Sequence, residues 1–311
     1  MAAARFPFLK KFGGGLNPHI ALLAANLIWG ANYTIAKFVM PYYVQPYGFV
    51  FLRLLGANIV FWILHAFIVK EKIQKEDLPR FILCGLFGAA INQLATFKGL
   101  SLTVPVNASL IMITTPILVM VFSILGKQDK FTWYKGVGLL LGVSGALYTI
   151  AGKEFNFTSN TALGDMFIFL NATSYAIYLI IVKPLAVKYH PITLMKWVFF
   201  FGFFPVSIIG YKQFLEIPWG NMPFSIYVAI FYVVLFVTCL AFLLSIFAVR
   251  KVQPSVVGVY IYLQPIFATI VAVLFNADVF NLQKLIAALL IFSGIYMVSL
   301  YRPTHFKKQK I

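Results

Sequence analysis

Of the 311 residues, 61% are hydrophobic and 11% are charged, against roughly 45–50% and about 25% in an ordinary soluble domain, which excludes a water-soluble core. The net charge of +17 raises the question of nucleic acid, but the basic residues sit in short connectors between apolar runs, so no nucleic-acid partner is expected. The composition is that of an all-α polytopic membrane protein whose partner is the lipid bilayer.

Stretches of about 20 apolar residues, the length that crosses a bilayer, predict ten transmembrane helices at 19–40, 47–69, 80–99, 104–126, 134–151, 164–183, 191–211, 223–249, 254–275 and 281–301. Residues 1–16 read as a cytoplasmic tail. They are basic but lack the apolar run of a signal peptide. Residues 304–311 form a second basic tail. The connectors 70–80 and 152–163 are too short to hold a domain. With the N-terminus in the cytoplasm and loops alternating, 18 Lys and Arg fall inside against 5 outside. That bias predicts cytoplasmic termini in a cell inner (plasma) membrane.

Taken in chain order, the first helix sets Asn26, Trp29, Gly30, Tyr33 and Lys37 on one stripe at helical spacing. In lipid such a stripe must face other helices or a water-filled cavity, so Asn26, Trp29 and Tyr33 are candidate substrate contacts. The second helix carries Arg53 about two turns in and His65 near its cytoplasmic end. The third has Gly85, Gly88, Ala89, Asn92 and Thr96 on one face with Gln93 beside it. There, interhelical hydrogen bonding and ligand contact are both open. The fourth places Thr115, a candidate substrate contact, and Pro116 near its centre, and the fifth is rich in small residues and reads as scaffold.

The sixth helix repeats the first with Asn171, Ser174, Tyr175 and Tyr178, and the seventh has Lys196 early. With Arg53 and His65, Lys196 completes a set of possible charge or coupling residues. In the ninth, Tyr260 and Gln264, both candidate substrate contacts, lie one turn apart just before Pro265. Gln264 can serve a substrate or the carbonyl that the proline frees. The tenth resembles the fifth. Cys84 and Cys239 sit inside spans, and their number and placement indicate neither a disulfide framework nor a metal site. No cofactor is expected.

The chain reads twice. Residues 105–145 laid over 254–294 without a gap give 11 identities, among them Pro116 with Pro265, Asp129 with Asp278 and Lys135 with Lys284. The first and sixth helices align more loosely, to within one residue. Five spans per copy is odd, so the second copy should cross the membrane in the opposite sense. Two inverted five-helix repeats over 17–152 and 160–303 are the pattern of many secondary transporters. Each paired proline removes a backbone donor and kinks its helix. The bend either adjoins a substrate cavity or is a static packing feature.

These residues resemble a known family. "IWGANY" (28–33), "FLRLLGA" (51–57) and a proline-centred fourth span, followed by an aspartate with a glycine sixteen positions on (Asp129 to Gly145, Asp278 to Gly294), are similar to the EamA-type drug/metabolite transporters. The resemblance covers roughly 17–301. It implies two EamA domains, ten helices and a permease, often an exporter of amino acids or other small metabolites. Both copies have aspartate where the family often has glutamate, and Tyr175 stands where tryptophan is common.

The function expected is secondary transport of a small metabolite, by export and alternating access. Amino acids and related neutral, zwitterionic or anionic solutes lead, because no Asp or Glu lies centrally in a span to exchange a proton for a cation. An intramembrane enzyme acting on lipid-linked substrates is the alternative, although no nucleophile, metal cluster or paired carboxylates support it. A signalling or structural membrane protein is the third reading. Oligomeric state, coupling and substrate identity stay open.

Overall fold

The computed structural model describes residues 16–40, 42–103, 105–150, 159–274 and 282–300. Among them the chain forms ten helices. They are α1 (Pro18–Val39), α2 (Pro46–Val69), α3 (Lys75–Leu102), α4 (Pro105–Met112 with Thr115–Leu125), α5 (Trp133–Ile150), α6 (Ser159–Lys188), α7 (Pro191–Leu215), α8 (Phe224–Lys251), α9 (Pro254–Val259 continuing through Leu263–Leu274) and α10 (Leu282–Leu300). By length and composition α2, α3, α6, α7 and α8 can each cross a bilayer, and the chain is a multi-pass membrane protein. Several helices outrun the apolar stretches that predicted them. Backbone hydrogen bonding continues past the first charged residue, whereas an apolar run stops there.

Prolines open many of these helices. Pro18, Pro46, Pro191 and Pro254 occupy first turns, where a missing N–H costs nothing. Other orphan donors are capped by side chains. Asn17 accepts from His19 N at 2.9 Å. Gln213, from α7, accepts from the N–H groups of Tyr47 and Gly48 at 2.8 and 3.0 Å. The start of α2 is therefore held by the other half of the chain.

The halves interlock by exchange. Helix α1 packs against α8 and α9, and its counterpart α6 packs against α3 and α4. The like pairs run antiparallel. In α2 and α7, Gly210 lies against Tyr47 at one end, while Phe61 stacks on Phe199 further along, centroids 5.6 Å apart. In α5 and α10 the backbones touch. A Cβ on Gly138 would meet the carbonyl oxygen of Gly294 at 2.7 Å, and one on Gly145 would meet that of Ala287 at 2.8 Å. Small residues permit this approach, which supplies the van der Waals contact that joins helices in lipid. The perimeter is apolar, with Phe67, Leu125, Ile208 and Leu289 among its exposed side chains, as a lipid-facing surface requires.

Helices α3 and α8 each contain a stretch of wider, π-helical turns, Gly85–Ile91 and Val233–Leu240. Such turns leave carbonyls without their usual donors. Each receives one from the first helix of the opposite half. Ser174 Oγ donates to the Phe87 carbonyl at 2.6 Å, and Trp29 Nε1 to that of Val237 at 3.3 Å. Helix α4 breaks at Ile113 and Thr114, and α9 tightens into a 3₁₀ turn at Tyr260–Tyr262. Both interruptions lie just before the paired prolines.

Candidate functional site

A cavity of about 120 Å³ lies among α1, α2, α3, α4, α6, α8 and α9. Its volume is close to the ~150 Å³ of an engineered cavity that holds one benzene. The wall is formed by Trp29, Asn32, Ala36, Arg53, Asn92, Gln93, Thr96, Phe97, Leu100, Ala108, Met112, Ile168, Asn171, Tyr175, Val237, Phe242, Ile261 and Gln264. Both halves contribute, and no wall residue is acidic. The wall positions on α2, α3 and α4 all fall in the half of each helix farther from the end where α1 begins, and those on α6 (Ile168, Asn171, Tyr175) reach just past its middle.

Helix α1 reaches the cavity along a line one residue away from the predicted stripe. Trp29, Asn32 and Ala36 form the wall, whereas Asn26 and Gly30 turn to α9. Asn26 Oδ1 accepts from Gln264 Nε2 at 3.0 Å, which ties α1 to the turn before Pro265. A Cβ on Gly30 would meet the Gln264 carbonyl oxygen at 3.0 Å. Asn32 was missed by the sequence reading, although its i+3 spacing from Trp29 was the available signal. The side chain of Tyr33 lies outside the described residues.

Of the other wall positions named from sequence, Asn92, Thr96 and Asn171 are bonded to one another. Asn171 Nδ2 donates to the Asn92 carbonyl at 2.9 Å and to Thr96 Oγ1 at 2.5 Å. Gln93 differs. It is 3% exposed, and neither its amide oxygen nor its nitrogen has a hydrogen-bond partner in the protein. The Asn32 side-chain oxygen is likewise unpartnered. Tyr175 sets its ring against Trp29, edge to face at 6.4 Å, and Phe242 does the same at 5.5 Å.

Arg53, 3% exposed, donates from Nε to Thr238 Oγ1 at 3.0 Å and lies over the Phe97 ring at 4.6 Å. The Thr238 hydroxyl donates to the Val233 carbonyl at 2.9 Å, so its oxygen is held as an acceptor for the arginine. The two ion pairs among the described residues, Lys135 with Asp129 and Lys188 with Asp77, lie elsewhere. Arg53 is thus a cation beside the cavity with no carboxylate partner among the described residues.

Several predicted contacts are not on the wall. Tyr178 is buried against Gly88 in the widened part of α3. Ser174 is used on the Phe87 carbonyl. Thr115 is fully buried next to Met112. Tyr260, next to the wall residue Ile261, turns its side chain toward the end where α1 begins, and its hydroxyl meets His19 Nδ1 at 2.7 Å. Lys196 and His65 sit together near that end, Nζ to Nδ1 at 3.3 Å, with the ammonium 3.7 Å over Trp62. Neither reaches the cavity. Pro116 and Pro265 each stand one turn after a wall residue, Met112 and Ile261.

At the end where α1 begins lies a buried polar cluster. Lys135 Nζ binds Asp129 and the Gln253 side-chain oxygen, the latter at 2.8 Å, and Ser255 donates to the second Asp129 oxygen. This joins the α4–α5 loop to the start of α9. Nearby, Lys183 Nζ caps carbonyls at the end of α8, Val249 at 2.5 Å and Val252 at 2.7 Å.

The model of the EamA-like transporter family matches residues 16–151 and 162–300. The uncharacterized transporter YyaM of Bacillus subtilis is 22% identical over 290 residues, covering 91% of this chain and 94% of its own. A WAT1-related protein of Arabidopsis thaliana is 25% identical over 313 residues, 90% of this chain and 84% of its own. A solved structure superimposes with a TM-score of 0.75 at 17% identity, covering 91% of this chain and 96% of the other, and so shares the fold. YyaM, like other curated relatives, carries the name of a transporter rather than of an enzyme.

Proposed function

We propose that this chain, which belongs to the EamA-like transporter family, exports a small metabolite from the cytoplasm through the central cavity by alternating access. Amino acids and related neutral, zwitterionic or anionic solutes are the class to test first. The observation that carries the reading is the cavity itself. Helices of both halves enclose it, aromatic faces and amides line it, and no acidic residue is among its wall positions. Sites of this kind hold solutes by a few placed polar groups on an apolar lining.

The antiparallel pairing of α2 with α7 and α5 with α10 supports an inverted relation of the halves, with a pseudo-two-fold axis in the membrane plane. The positive-inside bias supports a plasma-membrane orientation with both termini in the cytoplasm. In that orientation the cavity occupies the middle and outer part of the bundle, and the Lys135–Asp129 cluster seals the inner end. Opening the inner end while the outer walls close would complete the cycle.

The test is transport by the purified protein in liposomes, using a labelled panel of amino acids and small organic acids with and without a pH gradient. Saturable movement of a panel member that empty liposomes lack supports the reading. No movement of any member, in protein shown to be folded, overturns it.

A further inference from the structure

A buried cation and a buried unpartnered amide line the same cavity, and together they specify a ligand. Within a bilayer a charged side chain is costly and is retained near a partner. Arg53 holds one bond, to Thr238, and an aromatic face, Phe97, but no carboxylate among the described residues. Asp165, one turn beyond the wall residue Ile168, does not serve it. Asp165 accepts from Thr103 at 2.5 Å and from Asn107 at 3.3 Å. A guanidinium with free fork geometry pairs best with a carboxylate, through two parallel bonds.

Gln93 adds the second requirement. Both atoms of its amide are buried and unpaired, and leaving them so costs free energy that a ligand can recover. Its nitrogen asks for an acceptor and its oxygen for a donor. A carboxylate supplies only acceptors, so the ligand needs a hydroxyl or N–H as well. An ammonium would find no acidic wall residue, and a zwitterion would leave the arginine's charge uncompensated. A hydroxyl supplies the donor without adding charge.

We infer that the solute of this cavity is a compact hydroxy-monocarboxylate, whose carboxylate pairs with Arg53 and whose hydroxyl engages Gln93. The inference rests on the transporter reading above and narrows it to the anionic members of its class. The loaded cavity is then neutral and the empty one carries the arginine's charge. An inside-negative potential would drive such an anion outward, in the exporting direction.

Three isosteres test it. They are 2-hydroxy-2-methylpropanoate (a monoanion with a hydroxyl), 2-amino-2-methylpropanoate (a zwitterion) and 2-hydroxy-2-methylpropanamide (neutral). Binding to the full chain in lipid nanodiscs is measured by calorimetry. The hydroxy acid should bind at least about tenfold more tightly than either of the others. Arg53→Gln should erase that preference, and Arg53→Lys, which keeps the charge, should retain part of it and covers the case in which Arg53→Gln does not fold. Gln93→Leu should weaken the hydroxy acid about tenfold while leaving the preference for charge. Equal or tighter binding of the zwitterion or the amide, or an unchanged preference in both arginine variants, overturns the inference. If liposomes move amino acids while these probes bind without preference, the inference falls and the transporter reading stands. If no probe binds and no panel member moves, both fall.

Discussion

The hydroxyl of Tyr262 donates to the carbonyl of Ile113 at 3.2 Å, and the two residues lie 149 positions apart, the offset that superimposes the two copies in the sequence. Equivalent positions of the two copies therefore touch, at the interruptions of α4 and α9. Tyr262→Phe would leave the ring packed and remove the donor. It should lower thermal stability by about 1 kcal/mol, the ordinary worth of one such bond. A melting temperature equal to wild type would mean that the Ile113 carbonyl finds another donor.

The Tyr262 ring also rests on Gly142, where an added Cβ would meet Cδ2 at 2.5 Å. Gly142→Leu therefore has no room on the α5 side and should push α9 away from the scaffold pair. The expected outcome is poor expression and aggregation on size-exclusion chromatography, a stability effect rather than a selective loss of transport. A monodisperse Gly142→Leu variant with normal melting would show that α5 and α10 are looser than their glycine contacts imply.

The crossed bonds at the widened turns predict a paired effect. Ser174→Ala and Trp29→Phe each strip a carbonyl of its donor, at Phe87 and Val237. Each should cost about 1–2 kcal/mol of stability. Only Trp29→Phe changes the cavity wall, so only it should also weaken solute binding. Thermal melts and binding measured on both variants separate the two contributions.

At the end where α1 begins, Lys135 and Asp129 are buried together with Gln253 and Ser255. Removing one member of a buried ion pair leaves an uncompensated charge, which typically costs about 3–5 kcal/mol. Lys135→Met should thus be severely destabilised. Gln253→Leu, which spares the pair, should fold and loosen only the link to α9. A single cysteine placed at Val252 should then react faster with an impermeant thiol reagent applied from that side. Unchanged labelling would assign the cluster to folding alone.

Much of this architecture was legible in the sequence because lipid makes the signal strong. Each apolar run had to be a helix, and paired prolines, aspartates and lysines revealed the duplication. Arg53 stood out because a charge within a span is rare. Other features left no mark. Wider turns in α3 and α8 use the same residue types as ordinary helix, so Ser174 looked like a wall residue rather than a cap. Tyr178 looked like one because its partner, Gly88, is near it only in the folded chain. The one-residue rotation of α1, which brings Asn32 to the cavity and turns Asn26 away, is set by where Gly30 meets α9. Helical periodicity defines a stripe but not its facing. Lys196 and His65 shared a chemistry with Arg53 but not a place.

The paired prolines give the last prediction. Each lacks the N–H that would bond to the residue four before it. Those residues are Met112 and Ile261, and both line the cavity. Around them the backbone is already rearranged. Thr114 N bonds to the Ile111 carbonyl at 3.0 Å in place of α-helical pairing, and Tyr260–Tyr262 form a 3₁₀ turn. The two helices can thus bend beside the cavity, at equivalent points of the two halves. Pro116→Ala and Pro265→Ala should restore the missing bonds, leave the protein folded or more thermostable, and slow turnover in the liposome assay. Under the proposed alternating access the halves exchange roles between inward- and outward-facing states, so the two variants should bias the carrier in opposite directions. Thiol labelling of a single cysteine at Arg250, at the sealed end, would be raised by one variant and lowered by the other. Wild-type transport and labelling in both would make the prolines static packing features and remove the bend from the transport cycle.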